Sequence, residues 1–470
     1  MRKRFSFLLL GFSIQLSAIN YTDPVHDTAH VQKKDTSLGS FFRRGHFHGH
    51  SRTYFMATDN SGSLTDFHAM AFGLGIGYET PRIHGFSIGL SGYFIYNLFS
   101  SDLAAKDPSS NQSNRYEIGL FDVGNPSNHK DLDRLEDLYL RYGNDRSYLK
   151  FGKQHIRTPF INPQDGRMRP TLVEGLLGEF NEVKNLTLNL GLLYSVSPRS
   201  TVEWYSIGES IGKYPLGVGP DGTVSGYAGH TESEWLAMLG ASYKIGNKVK
   251  IELWDQYVEN IFNTGLAQAT SEFGLKKGSK YKLITGAQLI SQTALEEGGN
   301  PDSTKAYFGP SNSSLTYGFR LGLKKEKKWS FTFNFTEITN RGRYLMPREW
   351  GRDPFFTFMP RERFEGYGES KAFNAVFSMP IPKSKFKFDL GYGYYFLPDV
   401  KDPNLNKYGF PSYTQFNFDL RYKFEKALDG MDLQFLYVYK GGIGETYGNS
   451  KYVINKINMS LYNLILNYQF

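Results

Sequence analysis

The sequence of 470 residues contains no cysteine, which excludes disulfide bonds and thiol catalysis and argues against the usual structural zinc sites. After its first residues it also lacks any apolar run of the roughly 18 residues that a membrane-spanning helix needs. The mean hydropathy of −0.44 is too polar for a helical membrane protein. Aromatic residues make up 16% of the chain, which is too many for a disordered protein.

The formal net charge is +8, but the basic residues are scattered and form no cluster within a recognisable nucleic-acid-binding motif. No nucleic-acid partner is therefore predicted. The metalloprotease pattern H-E-x-x-H is absent from the sequence as well. We predict a protein that is not an enzyme and that carries no cofactor and no metal.

The first residues have the parts of a secretory signal, with basic residues at 2–4, an apolar run at 5–16 and small residues after it. The expected cleavage site follows Ala18. A secreted chain without a spanning helix is either soluble or crosses a membrane as a barrel. We predict a signal peptide, a periplasmic lead-in and a transmembrane barrel at residues 1–18, 19–44 and 45–470.

Most of the chain alternates between large apolar residues and small or polar ones, with the period of two that is typical of strands. In residues 386–396, aromatic residues and a leucine alternate with lysine, aspartate and glycine. In residues 415–424, Asp419, Arg421 and Lys423 share one face, and phenylalanine, leucine and tyrosine occupy the other. Because a row of charged side chains cannot face lipid, this face is predicted to line a wet lumen.

Short and long connections also alternate along the sequence, as in outer-membrane barrels with short periplasmic turns and longer external loops. Strands counted in this way number about 18, and residues 267–275 are the weakest of them. A barrel of roughly 16–18 strands encloses an aqueous channel. The predicted fold is therefore an all-β transmembrane antiparallel barrel of about 18 strands.

The last segment, residues 460–470, has an apolar face that ends on Phe470 and a polar face with Asn463, Asn467 and Gln469. A strand of about ten residues is long enough to cross a bilayer when it is tilted. The aromatic end resembles the terminal strand of bacterial outer-membrane barrels, in which the last strand is the assembly signal. Phe470 is therefore expected to be recognised by the barrel assembly machinery.

Two connections carry a more specific resemblance. Residues 152–171 read GKQHIRTPFINPQDGRMRPT, and residues 346–366 read MPREWGRDPFFTFMPRERFEG. Both are similar to segments of the OprD-type porins, the substrate-specific channels of Gram-negative outer membranes. The resemblance implies a monomeric channel of 18 strands in the outer membrane, in contact with its lipid. It also implies inward-folded loops and passage of small anionic or zwitterionic, carboxylate-bearing solutes such as amino acids, organic acids or small peptides.

In this family the third long connection forms the constriction, which here falls on residues 154–173. Rings of charged side chains at a narrow point set the selectivity of a pore. The candidate constriction residues are Arg157, Asp165, Arg167 and Arg169. The second inward loop offers Arg348, Arg352, Arg361 and Arg363, whose charge is nearly balanced by acidic neighbours that could simply brace the loop. Strand parity adds a basic pore wall, in which each residue could instead pair with a lumen acid: Arg141, Lys150, Arg320, Lys387, Arg421, Lys423 and Lys440.

Other interpretations are weaker. His46, His48 and His50 alternate and would share one strand face, a spacing that suits a metal as well as an ordinary polar lumen. A plug domain is not expected, because residues 21–44 are too few to form one. An outer-membrane barrel that acts as an adhesin, or as a lipase or esterase, is the alternative to a channel.

Overall fold

The computed structural model describes residues 37–128, 130–163, 166–246, 248–276, 278–381 and 384–470. The predicted signal peptide lies outside the described residues, and so does the predicted lead-in except for residues 37–44. None of the helices in this part of the chain has the length and apolarity that a membrane-crossing helix needs.

The described residues form one antiparallel sheet and little helix. The two short α-helices are α1 (Leu38–Arg43) and α2 (Ile207–Ser210), and single 3₁₀ turns occur at Glu117–Leu120, Lys426–Leu428 and Ser450–Tyr452. The strands are β1 (His46–Asn60), β2 (Phe67–Glu79), β3 (Phe86–Ser100), β4 (Arg134–Gly143), β5 (Tyr148–His155), β6 (Leu172–Phe180), β7 (Leu186–Ser197), β8 (Tyr205–Ser206), β9 (Leu236–Ile245), β10 (Val249–Val258), β11 (Phe262–Gly274), β12 (Tyr281–Ala294), β13 (Ser313–Lys325), β14 (Trp329–Ile338), β15 (Ser370–Pro380), β16 (Phe386–Phe396), β17 (Tyr413–Lys423), β18 (Met431–Gly442) and β19 (Met459–Gln469).

The sheet closes on itself because β1 pairs with both β2 and β19. The two-residue β8 pairs with β7 alone, and β7 pairs directly with β9, with Leu190 opposite Leu239. The barrel wall therefore contains 18 strands, each antiparallel to its neighbours, and the predicted fold class is confirmed. Closure matters because it leaves no unpaired strand edge, which a membrane interior would not tolerate.

Side chains alternate across the wall as the sequence predicts. On β2, Leu74 and Ile76 face outward, whereas Gly73, Gly75 and Gly77 face the lumen. A Cβ atom at Gly77 would lie 2.3 Å from the Nε2 atom of His48, and one at Gly73 would lie 2.3 Å from the Tyr93 hydroxyl. The inner glycine row therefore makes room for larger side chains of β1 and β3 to lie across β2.

The strand expected at residues 267–275 begins earlier, because β11 starts at Phe262 after a connection of residues 259–261. Its outward residues include Gly265, Ala267 and Ala269, whose small side chains give little alternation in hydrophobicity. The sequence pattern is weak here for that reason, although β11 pairs along its whole length with β12.

The connections at the two ends of the barrel differ in length. The end that holds the turn between β2 and β3 carries short turns, whereas the other end carries connections as long as residues 101–133, 198–235 and 339–369. These long connections bring buried apolar side chains inside the barrel, including Trp350 and Phe308, which belong to one cluster. The lumen is therefore narrowed from one end by folded loops.

Candidate functional site

The described residues of the third long connection, 156–163 and 166–171, fold against the inner wall of the barrel. The Arg52 side chain of β1 donates a hydrogen bond to the backbone oxygen of Arg167. Arg134 of β4 donates from Nη2 to the backbone oxygen of Pro170 at 2.9 Å. Because both donors project from inward faces of strands, they hold this connection inside the lumen.

The seventh long connection, residues 339–369, is held against the third by Trp350. The Trp350 side chain is fully buried, and its Nε1 atom donates to the Ser210 hydroxyl of α2 at 2.9 Å. Its backbone oxygen accepts from the Asn162 amide of the third connection at 3.0 Å. One tryptophan thus joins three separate segments inside the lumen.

We expect Trp350→Ala to loosen the constriction without unfolding the barrel. Truncation of a buried tryptophan costs about 3–5 kcal/mol, but this cost falls on the loops, because Trp350 lies outside every strand. Single-channel recording should show a larger and noisier conductance than the wild type. Trp350→Phe, which keeps most of the ring volume, is the matched control. An unchanged conductance in the alanine variant would show that Trp350 does not hold the loops in place.

Where these connections meet, they enclose a small cavity of about 50 Å³ in the barrel interior. Its lining is basic and aromatic, with six arginines and one lysine and without a single carboxylate. The lining residues are Arg115, Tyr116, Arg167, Arg199, Tyr214, Pro215, Arg348, Arg361, Arg363, Phe410, Tyr413 and Lys440.

Two of the cavity arginines pair with buried acids behind the lining. Arg348 forms an ion pair with Glu365, and Arg363 lies 3.9 Å from a carboxylate oxygen of Asp353. These contacts lie within the seventh connection itself, as the bracing interpretation of its balanced charge predicts. The same two side chains nevertheless line the cavity, so bracing and solute contact are compatible.

Arg361 and Lys440 connect the cavity to the barrel wall. Arg361 donates from Nη2 to Asn463 of β19 at 3.0 Å and also to the Tyr54 hydroxyl of β1. Lys440 of β18 donates from Nζ to the backbone oxygen of Arg361 at 2.8 Å. The acceptors in these hydrogen bonds are neutral oxygens, so the bonds do not neutralise the positive charge of either side chain.

The sequence did not predict a role for Arg115, Arg199 or the aromatic residues beside them. The Arg115 guanidinium lies 4.7 Å from the ring centroid of Phe410, and that of Arg199 lies 5.3 Å from the ring centroid of Tyr214. These residues come from irregular connections, where no periodic pattern shows which side chains point inward. No signal in the single sequence could have identified them.

The four residues predicted to line the constriction from the third connection do not lie together. Arg167 lines the cavity, whereas Arg157 is exposed and Asp165 lies outside the described residues. Arg169 is 2% exposed, and within the described chain its three guanidinium nitrogens have no hydrogen-bond partner. It lies beside Glu136 and Tyr93 rather than in the cavity lining.

Glu362 is the acidic counterpart of these cations in the seventh connection. It is buried, and neither of its carboxylate oxygens has a hydrogen-bond partner among the described residues. Burial raises the pKa of this carboxyl well above the usual value for glutamate, and Lys440 and Arg363 act in the opposite direction. Glu362 therefore does little to neutralise the cavity when its carboxyl is protonated.

The predicted wall residues all lie on inward faces of their strands. Lys387 pairs with Asp389 at 3.1 Å and Arg421 with Asp419 at 2.7 Å, as the alternative of lumen ion pairs predicts. Arg320 donates to Asn334 at 2.6 Å and to the backbone oxygen of Phe356 at 3.1 Å, both neutral acceptors. The other wall residues use an aromatic ring or a neutral oxygen, or lie exposed at a strand end: Arg141, Lys150, Lys440 and Lys423.

The seventh connection's remaining predicted residue, Arg352, lies outside the cavity lining. Its backbone N–H donates to the side-chain oxygen of Asn162 at 3.1 Å. Its guanidinium lies 5.1 Å from the ring centroid of Phe358.

The pattern G-x-S-x-G of hydrolase nucleophiles occurs at residues 85–89 and 208–212, but neither match forms a nucleophile elbow. An elbow requires an exposed serine on a sharp turn from a strand to a helix. Ser87 lies within β3 and donates to Glu79 at 2.9 Å. Ser210 is fully buried in α2 and donates to the backbone oxygen of Ile207 at 2.7 Å. Neither serine is placed as a nucleophile.

The alternating histidines of β1 point into the lumen. The rings of His46 and His48 stack at 5.4 Å, and the ring of His50 stacks on Tyr93 at 4.8 Å. Across the described ranges, no three histidine, aspartate or glutamate side chains are arranged so that they could hold a metal ion.

The comparisons with known proteins agree with this architecture. Residues 41–325 match a family model described as outer membrane porin, OprD family. The chain is similar to the crystal structure of Pseudomonas aeruginosa OpdK with vanillate, with a TM-score of 0.68, 12% identity, and coverage of 92% of this chain and 99% of that one. It is also similar to Acinetobacter baumannii OccAB3, with a TM-score of 0.69, 14% identity, and coverage of 91% and 99%. No curated protein sequence matches the chain.

Proposed function

The chain belongs to the OprD family of outer membrane porins, and on that premise we propose that it passes small carboxylate-bearing solutes by passive diffusion. The closed barrel of 18 strands is a bacterial outer-membrane channel fold.

The observation that carries the proposal is the composition of the cavity lining. Arginine and lysine supply all of its charged side chains, and the paired acids Glu365 and Asp353 lie behind them. Rings of positive charge in a constriction favour anions. Arginine suits a carboxylate in particular, because its planar guanidinium can donate two parallel hydrogen bonds to the two oxygens.

The aromatic residues of the lining suit an organic anion better than an inorganic one. Tyr116, Tyr214, Phe410 and Tyr413 offer ring faces and hydroxyl groups beside the cations. Vanillate, which occupies the solved structure of OpdK, combines a carboxylate with an aromatic ring. Amino acids, organic acids and small peptides also carry a carboxylate on a small organic body.

The wall cations extend this surface beyond the cavity. Closely spaced weak sites let an ion step along a pore without being trapped. Arg320 and Lys440 serve this role best, because the hydrogen-bond acceptors of their side chains are neutral oxygens. Lys387 and Arg421 contribute less, since Asp389 and Asp419 offset their charge.

We further propose that the channel works as a single chain, without enzymatic activity. The barrel is complete within one chain, because β1 and β19 close it. Its partners would be outer-membrane lipid, the diffusing solutes and the barrel assembly machinery.

Purified protein is expected to insert into planar bilayers as a monomer and to give small conductance steps that favour anions. Reversal potentials in a salt gradient measure the ion preference, and block by a panel of organic carboxylates measures binding. Amines of the same size are the matched control, because they carry the opposite charge. A channel that prefers cations, or a protein that stays soluble without detergent, would contradict the proposal.

A further inference from the structure

Arg115 belongs to the connection of residues 101–133 and lines the cavity. Its neighbours along the chain fix its backbone against the barrel wall. Glu117 is fully buried, and its carboxylate accepts a hydrogen bond from the Thr58 hydroxyl of β1 at 2.5 Å. The side-chain amide of Asn114 donates to the same carboxylate at 2.7 Å. The Arg115 side chain therefore extends from a fixed point beside the cavity.

The Arg115 guanidinium lies over an aromatic ring. It is 4.7 Å from the ring centroid of Phe410 and 6.0 Å from that of Tyr116. In the part of the chain that the structure describes, the side chain of Arg115 forms no hydrogen bond and no ion pair. A guanidinium has five N–H donors. Those of Arg115 are therefore available to a solute in the cavity.

Other cations of the lining use their donors to hold the loops. Four of them donate to a carboxylate, an amide or a backbone oxygen of the protein: Arg348 to Glu365, Arg363 to Gly351, Arg361 to Asn463 and Lys440 to Arg361. A cation that braces a loop has fewer donors left for a solute than Arg115 has. Lys440 also lies 5.6 Å from the ring centroid of Phe410, which places a second cation beside that ring.

We propose that Arg115 is the residue that binds the carboxylate of the solute, and that the Phe410 ring orients its guanidinium for this contact. The inference rests on the proposed function and names the contact residue of that site. An arginine that stacks on an aromatic face keeps its N–H donors at the edge of the guanidinium plane. A carboxylate can accept two parallel hydrogen bonds from that edge, and the single atom of a chloride ion does not match this geometry. Arg115 thus discriminates carboxylates from inorganic anions of the same charge.

The variant Arg115→Lys separates charge from hydrogen-bond geometry, because lysine keeps the positive charge but lacks the planar fork. Block by benzoate and the reversal potential in a gradient of potassium chloride are measured on single channels of the full-length protein. Loss of one of two charge-assisted hydrogen bonds should raise the inhibition constant of benzoate roughly ten-fold. The reversal potential should stay at the wild-type value. Lys106→Gln, which removes a charge from an exposed position of the same connection, is the control and should change neither quantity.

The variant Phe410→Leu tests the role of the ring. Phe410 is buried, and leucine keeps an apolar side chain at this position but offers no ring face to the guanidinium. Block by benzoate should weaken in this variant, although every cation of the lining is still present. Block that is as strong as in the wild type would show that Phe410 does not orient Arg115.

Equal block by benzoate in the wild type and in Arg115→Lys would overturn the inference, because charge alone would then explain the binding. A reversal potential of Arg115→Lys that moves toward cations would also overturn it, since Arg115 would then act on all anions alike. A wild-type channel that benzoate does not block would instead contradict the proposed function itself, whatever the variants show.

Discussion

Replacing Phe470 by Asp is expected to remove the protein from the outer membrane while leaving a chain that still folds in detergent. The backbone of Phe470 pairs with Gly49 of β1 through two hydrogen bonds of 2.8 and 2.9 Å, which close the seam. An aspartate backbone can make the same bonds. What the variant loses is the aromatic side chain that the assembly machinery is expected to recognise.

The structure also explains why residue 49 is a glycine. A Cβ atom there would lie 2.3 Å from the Cζ atom of Phe470, so the glycine leaves room for the end of this ring. The direct cost of an aspartate near the end of a lipid-facing strand is at most about 1 kcal/mol, which is too small to unfold an 18-stranded barrel. A large loss in cells would therefore reflect failed recognition rather than instability.

The measurement compares the outer-membrane level of Phe470→Asp in cells with its refolding from urea into detergent micelles. Phe470→Tyr, which keeps an aromatic ring, should reach the wild-type level and serves as the control. Normal membrane levels of the aspartate variant would show that Phe470 is not an assembly signal. Failure of that variant in both assays would assign its effect to folding instead.

Replacing Arg167 by Ala is expected to shift the reversal potential toward cations and to weaken block by organic carboxylates. Arg167 lines the cavity and is anchored through its own backbone oxygen by Arg52, so the side chain can be removed without releasing the loop. The loss of a hydrogen bond to a charged group is worth about 1.5–3 kcal/mol. We therefore expect the inhibition constants of carboxylates to rise by roughly 10- to 150-fold.

Arg157→Ala is the matched control, because it removes the same charge from an exposed position of the same connection. If the cavity acts through its local field, Arg157→Ala should leave selectivity near the wild-type value. A loop with a purely structural role would respond differently to Arg167→Ala, with a larger conductance and an unchanged ion preference. An unchanged reversal potential would leave Arg167 as a bracing residue.

Arg169→Ala tests whether a buried arginine outside the cavity lining affects carboxylate binding. Arg169 is buried outside the cavity lining, beside Glu136 and Tyr93. Its removal relieves a buried cation that has no hydrogen-bond partner in the described chain, so stability should not fall by the amount that a paired arginine would cost. The change in carboxylate block should be smaller than for Arg167→Ala. An equal effect of both variants would mean that solutes contact Arg169 as well.

The sequence by itself determined the barrel, because the period of two is a local property of each strand. A residue such as Arg421 must face the lumen when Leu420 and Tyr422 face lipid, whatever the rest of the chain does. Closure between β1 and β19 follows from the same logic, since an open edge cannot stay in a membrane. The start of β11 was predicted five residues too late, because its outward side chains are small.

The constriction was decided by the tertiary structure alone. Arg115, Arg199 and Lys440 are far apart in the sequence and come together because several long connections fold over the inward faces of β17 and β18. Arg167 and Arg169 are two residues apart, yet only Arg167 lines the cavity. Loops have no repeating hydrogen-bond ladder, so the direction of each side chain depends on the contacts of that loop. Trp350 with Ser210 and Asn162 supplies such contacts here, and no local pattern encodes them.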